Sequence, residues 1–305
     1  MASLKALTLA SVAVLALTRF ATAADLLPPP PAPEPPPPVA EFSGWYLRGD
    51  VGLAYNSSAP SLGISPDPVA AGQASGFLDS NANNSFNNST LSSSALFDVG
   101  VGYQVNNWFR ADVTGELRGG GELQSLETLN DFNLNGNQKQ FADFYRANTS
   151  SAIGLVNAYA DLGTWYGVTP FVGAGVGVAY NRLSGFTDTG FSSQNGAIFP
   201  TGGFASNHST TNLAWALMAG LDFNVTQNLK LELGYRYLNY GKFASGTINC
   251  LNGTGQGNGF NCTPDTISTK TTLASNDFRI GLRWMIGDNY SPPPPEAPAP
   301  LVRKY

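Results

Sequence analysis

The fold this sequence predicts is an all-β, eight-stranded antiparallel transmembrane β-barrel with long extracellular loops. Three observations predict it. Eight segments between Trp45 and Ile286 place large apolar side chains at every second residue, with small, polar or charged ones between. The connections between these segments alternate between short and long. The polar faces, taken together, carry as many acids as bases. A wall with hydrocarbon on one side and a confined polar interior on the other calls for all three.

The first segment, Trp45 to Tyr55, sets Trp45, Leu47, Val51, Leu53 and Tyr55 against Arg48 and Asp50. The second, Ala95 to Val105, opposes Phe97, Val99, Val101, Tyr103 and Val105 to Asp98, Gly100 and Gly102, and Asn106-Asn107 then turns the chain. In the third, Trp108 to Arg118, Phe109, Ala111, Val113 and Leu117 face away from Arg110, Asp112, Glu116 and Arg118. The fourth, about Ser151 to Leu162, is weaker and carries Asn157, Tyr159 and Asp161 on its polar side.

A turn near Gly163 to Gly167 leads to the fifth segment, Val168 to Arg182, where Val172, Val176, Val178 and Tyr180 oppose Gly173, Gly175 and Gly177. The sixth, Thr211 to Val225, pairs an apolar face containing Trp215, Leu217 and Leu221 with Asp222. The seventh, Leu229 to Phe243, carries Lys230, Glu232 and Arg236 opposite Leu231, Leu233, Tyr235 and Tyr237. In the eighth, Phe278, Ile280, Leu282, Trp284 and Ile286 lie opposite Arg279, Gly281, Arg283 and Met285. Turns after the even segments run about two to five residues and loops after the odd ones roughly 27 to 39, the asymmetry of a transmembrane barrel. An even strand number places both termini on the short-turn side, which such barrels keep in the periplasm.

Collected over the eight segments, the bases are Arg48, Arg110, Arg118, Lys230, Arg236, Arg279 and Arg283. The acids are Asp50, Asp98, Asp112, Glu116, Asp161, Asp222 and Glu232. A balanced set fits a closed lumen, because charge removed from bulk water must be paired. A solvated face of a soluble sheet is the alternative. A lipocalin would put its charges outside, and its outer face would not carry Trp45, Trp215 and Trp284 near strand ends.

Residues 1–23 form a secretory signal peptide: Lys5, an apolar stretch from Leu7 to Leu17, and Ala21-Thr22-Ala23 as a small-x-small cleavage site. Its removal takes two of the chain's 16 basic residues and none of its 21 acids, so the net charge moves from −5 to −7. That balance argues against nucleic acid as a partner. No later segment offers the roughly 18 apolar residues of a membrane helix.

Residues 24–43 and 287–305 are proline-rich and bracket the barrel region 44–286. Such segments form extended spacers, either solvated tails or a reach toward the cell wall. The closing Leu301 to Tyr305 ends in an aromatic residue detached from the last strand. Cys250 and Cys262, the only cysteines, share the last long loop and read as a disulfide in an oxidising envelope. The loop Ala244 to Thr272 is rich in Gly, Asn and Thr, and is expected to be an expendable surface feature without a core.

Chemistry is sparse. The one histidine, His208, stands beside Ser209 without an identifiable orienting carboxylate. Gly173, Gly175 and Gly177 alternate within a strand rather than cradling phosphate. No catalytic, cofactor-binding or metal site is predicted.

Beyond this physical reading, Ala24-Asp25-Leu26, the run Gly44 to Gly52 (GWYLRGDVG), Leu231 to Tyr237 (LELGYRY) and the closing strand resemble small outer-membrane surface proteins of Brucella and rhizobia. In the last strand Arg279, Gly281, Trp284 and Ile286 fit the polar-x-Gly-x-x-hydrophobic-x-hydrophobic pattern read by the barrel-assembly machinery. The resemblance covers residues of about 24 to 286 and implies a barrel of the OmpA or opacity-protein type, integral to the outer membrane and in contact with its lipid. Some members are surface antigens or haemin binders, and no binding residues carry over. Three functions stand open: an envelope-stabilising surface-display barrel without catalysis, a narrow porin-like channel for small solutes, and binding of haemin or a host surface through the loops.

Overall fold

A computed structural model of the chain describes residues 43–56, 60–67, 82–132, 138–194, 196–250 and 265–286. Every described residue belongs to the unit Glu41–Tyr305. The predicted signal peptide, the two proline-rich segments (Ser43 apart) and Cys262 lie outside the described residues, so the Cys250–Cys262 pairing does too.

In chain order the strands are β1 (Gly44–Asn56), β2 (Leu62–Ser65), β3 (Asn83–Leu91), β4 (Ser94–Gln104), β5 (Phe109–Phe132), β6 (Gln138–Asp161) and β7 (Val168–Gln194). There follow β8 (Ala197–Ala205), β9 (His208–Asn224), β10 (Leu229–Gly241), β11 (Ile248–Cys250), β12 (Thr266–Thr269) and β13 (Leu273–Ile286). Eight of them form a closed antiparallel ring in the order β1, β4, β5, β6, β7, β9, β10, β13. Closure is made by the first and last strands, with Trp45 opposite Ile286 and Asn56 opposite Ser275. No edge is left within the ring, as a sheet in hydrocarbon requires.

Alternation turns this ring inside out relative to a soluble protein. On β1, Trp45, Leu47, Val51, Leu53 and Tyr55 are exposed while Tyr46, Arg48 and Asp50 are buried. From Trp45 to Tyr55 a strand tilted by about 45° climbs roughly 24 Å, the height of a barrel's apolar band. Its turn-end margin carries Trp45, Tyr103, Trp108 and Trp284, and its loop-end margin Tyr55, Tyr180, Trp215 and Tyr235, all exposed. Short turns are locked locally: Asn106 Oδ1 accepts from the Phe109 amide at 2.8 Å, and Thr226 Oγ1 from the Leu229 amide at 3.0 Å.

The long loops are not the unstructured connections their composition suggests. β5 and β6 each run to 24 residues and β7 to 27, more than twice what a tilted strand needs to cross a bilayer. The predicted ends at Arg118, Ser151 and Arg182 are therefore corrected. The reason is a change of face. Below Arg118, β5 points Arg110, Asp112, Thr114, Glu116 and Arg118 inward and Val113 and Leu117 outward. A bulge between Arg118 and Gly121 shifts the register, with Gly120 at a φ of 81°. Beyond it Leu123, Ser125, Glu127 and Leu129 are buried, and Glu122, Gln124, Thr128 and Asn130 line the outside. On β7 the same inversion occurs at Gly185, φ 61°: Leu183 precedes it and Phe186 follows it, both inward. Each bulge inserts an odd residue where polar interior gives way to apolar interior.

Loops one and four also contribute to this upper core. β2 pairs with β12, Leu62 facing Thr269, and Leu62 and Ile267 are buried with Leu123, Leu183, Phe186, Phe243 and Leu273. The loop between Ala244 and Thr272, expected to stand apart from any core, is tied to this one in its described part. Among its described residues, Ile248 and Ile267 are buried in a core supplied mainly by the ring strands.

Candidate functional site

The interior of the ring is the site with the most chemistry. Because β-strand side chains alternate faces, every predicted lumen charge except Lys230 is buried there; Lys230 is half-buried, in register with Asn224 and Arg283 near the turn end. Several in-register neighbours, however, carry like charge: Arg48 faces Arg283, Asp50 faces Asp98, Asp98 faces Glu116, and Glu232 faces Asp222, whereas Arg236 faces Asp277. Directly opposed like charges are destabilising. For the like-charged pairs the counter-charges come from other positions, on the same strand or across the ring.

They form one connected ladder. Near the loop end Arg118 donates from Nη2 to Asp277 at 2.5 Å and from Nη1 to Ser275 Oγ at 2.8 Å, while its Nε meets Glu116. Arg236 closes the same layer, bonding Glu116 and lying 2.7 Å from Asp277. One layer down, Arg279 Nη2 bridges Asp98 at 2.7 Å and Asp50 at 3.0 Å. Arg48 occupies the middle. Its Nε reaches Asp50 at 2.9 Å, its Nη1 the Tyr159 hydroxyl at 2.9 Å and Asp112 at 3.2 Å, and its Nη2 Glu232 at 2.8 Å. Toward the turn end, Arg110 Nε donates to Asp161 at 3.1 Å with its guanidinium carbon 4.1 Å from the Tyr159 ring centre, and Arg283 contacts Asp222.

Asp277 is the residue missed from the sequence. It belongs to the same alternating face as Arg279, one residue before the Phe278 at which the eighth segment's alternation becomes legible. It adds an eighth carboxylate to the predicted seven, and Tyr46 adds a buried hydroxyl that donates to Asp112 at 3.0 Å. Three of the lumen glycines are occupied from the side. A Cβ on Gly102 would overlap the Tyr46 ring, on Gly173 the Tyr159 ring, and on Gly281 the Asp50 carboxylate. Small residues here admit larger neighbours, so the interior is filled rather than widened.

Of the predicted assembly pattern, Trp284 and Ile286 face outward and are exposed, while Arg279 and Gly281 point into the lumen. Above the apolar band a second group of acids is enclosed without an ion pair among the described residues: Glu127 on β5, Asp143 on β6 and Asp188 on β7. Glu127 accepts from Tyr145 at 2.6 Å and Asn84 at 2.9 Å, and Asp143 from Thr201 at 2.7 Å. Burial pushes all three carboxyls up, Asp143 to about 6 and Asp188, beside Asp143 and Glu127, to about 7. No group of three His, Cys, Asp or Glu side chains suited to a metal ion occurs among the described residues.

Residues 7–285 match the model of the outer membrane protein beta-barrel domain. An uncharacterized protein of Brucella abortus is 32% identical over 212 residues, covering 64% of this chain and 68% of that protein. A Rickettsia bellii protein provisionally named an adhesin is 29% identical over 158 residues, 50% of this chain and 62% of its own length. Among solved structures, Neisserial surface protein A aligns at 14% identity and a TM-score of 0.37, over 80% of this chain and 99% of that one. The attachment invasion locus protein Ail of Yersinia pestis aligns at 13% and 0.22, over 79% and 98%.

Proposed function

From the premise that this chain belongs to the outer membrane protein β-barrel family and is an integral outer membrane protein, we propose that it is a non-conducting surface-display barrel without catalysis. In this reading the turn end and both termini face the periplasm and the extended strands stand outside the cell. The observation that carries it is the guanidinium–carboxylate ladder. Arg236 with Glu116 and Arg110 with Glu232 both join β10 to β5 on opposite sides of the lumen, and the apolar cap around Leu62 and Ile267 sits above the ladder. An eight-stranded barrel leaves an interior only wide enough for side chains. Against catalysis, His208 and Ser209 are successive residues of β9 and so point to opposite faces.

Purified barrel in a planar bilayer is expected to show no unit conductance steps. Steps that change size in Glu232→Gln would overturn the reading in favour of a channel. The closing strand is proposed as the assembly machinery's contact, and the proline-rich segments as spacers toward the cell wall.

A second reading, attachment to a host surface, is favoured by one observation. The outer face of the loop-end sheet exposes Phe144, Phe191, Ile198 and Phe204, large apolar groups beyond the membrane band. Phe144→Ser with Phe191→Ser should reduce attachment of expressing cells to host cells while surface abundance stays constant; unchanged attachment removes this reading.

A further inference from the structure

The outward face of the ring is not evenly filled. On the loop-end half of the apolar band, across β5, β6 and β7, lies a groove of about 470 Å³. Gly115 and Gly154 stand opposite each other on neighbouring strands and form its floor with Ala152; Leu117 walls it on one side and Val178 and Tyr180 on the other. A Cβ added to Gly115 or Gly154 would meet nothing within 4 Å. These glycines differ from Gly102, Gly173 and Gly281 of the lumen, where a neighbouring side chain takes the space. Here the missing side chains leave a hollow facing the surroundings, and in this band the surroundings are hydrocarbon.

The row above the groove is polar. Alternation puts Tyr180 and Arg182 on the same outer face of β7, about 7 Å apart along the strand. Arg182 is exposed and in register with Ser150 on β6 and Ser209 on β9, each on the outer face of its strand. Each arginine of the lumen has a carboxylate within 4 Å, whereas Arg182 forms no ion pair among the described residues. An unpaired guanidinium flanked by two hydroxyls at the edge of an apolar band suits an anion with several oxygen acceptors.

We propose that this surface binds one acyl lipid bearing a phosphate headgroup. Arg182, Ser150 and Ser209 take the phosphate, and one acyl chain lies over Gly115 and Gly154. The charge favours this occupant over a second copy of the chain, whose matching face would bring another Arg182 rather than an acid. The proposal needs the band to lie in a bilayer; it is independent of whether the lumen conducts.

Native mass spectrometry of the full-length barrel released from detergent, with dioleoylphosphatidylglycerol and dioleoylglycerol as probes, tests it. The expected result is one retained phosphatidylglycerol per barrel and no retained dioleoylglycerol. Arg182→Gln should weaken retention roughly tenfold, and Arg182→Lys should restore part of it. Gly154→Leu, which fills open space and should leave heat-modifiable gel migration intact, should abolish retention. Equal retention of both probes, or retention unaffected by Arg182→Gln and Gly154→Leu, overturns the proposal. So does displacement of the lipid by millimolar inorganic phosphate alone, which would mark a free-anion site. Barrel dimers lost in Gly154→Leu, with no lipid retained in the parent, would assign the groove to a second copy instead.

Discussion

Arg236 on β10 and Glu116 on β5 stand four strands apart whichever way the ring is counted, yet the guanidinium donates to the carboxylate. A bond between opposite walls ties the ring together across its lumen at that level. Burying such a pair adds little net stability, since desolvation offsets the attraction, but stripping one partner leaves a charge stranded.

Arg236→Ala is therefore expected to lower the unfolding free energy in lipid vesicles by about 3–5 kcal/mol, with Arg236→Lys retaining part of the loss. Urea titration followed by heat-modifiable migration measures this. Parent-like stability would show that Arg118 alone suffices for Glu116 and Asp277.

Gly120 is needed for its left-handed backbone, φ 81°, at the bulge that exchanges the faces of β5. Gly120→Val should cost about 1–2 kcal/mol locally. The expected outcome is new protease cleavage between Gly121 and Ser150 in an otherwise inserted barrel. An unchanged digest would mean that the inversion does not depend on this residue.

The loop-end acids give a pH dependence with a definite sign. Asp143 and Asp188 have folded-state values raised to about 6 and about 7 from an ordinary 3.8. The folded state thus holds protons that the unfolded state has released. Stability of the loop-end sheet should be greatest near pH 4 and fall as pH rises through 6 to 7. Proteolysis of β7 and β8 should be slower at pH 5 than at pH 8, and Asp188→Asn should flatten the difference. The opposite slope would mean that a cation compensates these carboxylates.

Leu62 and Ile267 link loops one and four in the upper core. Ile267→Asp should expose both loops to external protease, because a buried unpaired carboxylate is strongly disfavoured. The bilayer should still show no conductance, since the ladder below is untouched. Conductance appearing in this variant would identify the cap, not the ladder, as the seal.

The sequence made the ring readable where two solvents impose opposite demands on alternate residues, as along Trp45 to Tyr55 or Phe278 to Ile286. It gave the face of each lumen charge, since alternation decides that. It did not give the pairing: Arg48 finds Asp112 and Glu232 on other strands, a geometry set by closure of the ring. Nor did it give the upper sheet. Past Gly120 and Gly185 the apolar residues change faces, and an outer surface of Gln124, Thr128 and Asn130 has the composition of a loop.

A ladder whose rungs join distant parts of the chain also constrains heredity. Glu116 and Arg236 are 120 positions apart, and Arg118 and Asp277 are 159 apart. A mutation that reverses one sign is a defect until a second, far along the gene, reverses the other. Descendants of this barrel are therefore expected to carry lumen substitutions in correlated pairs across the ring, while the outward apolar residues drift one at a time.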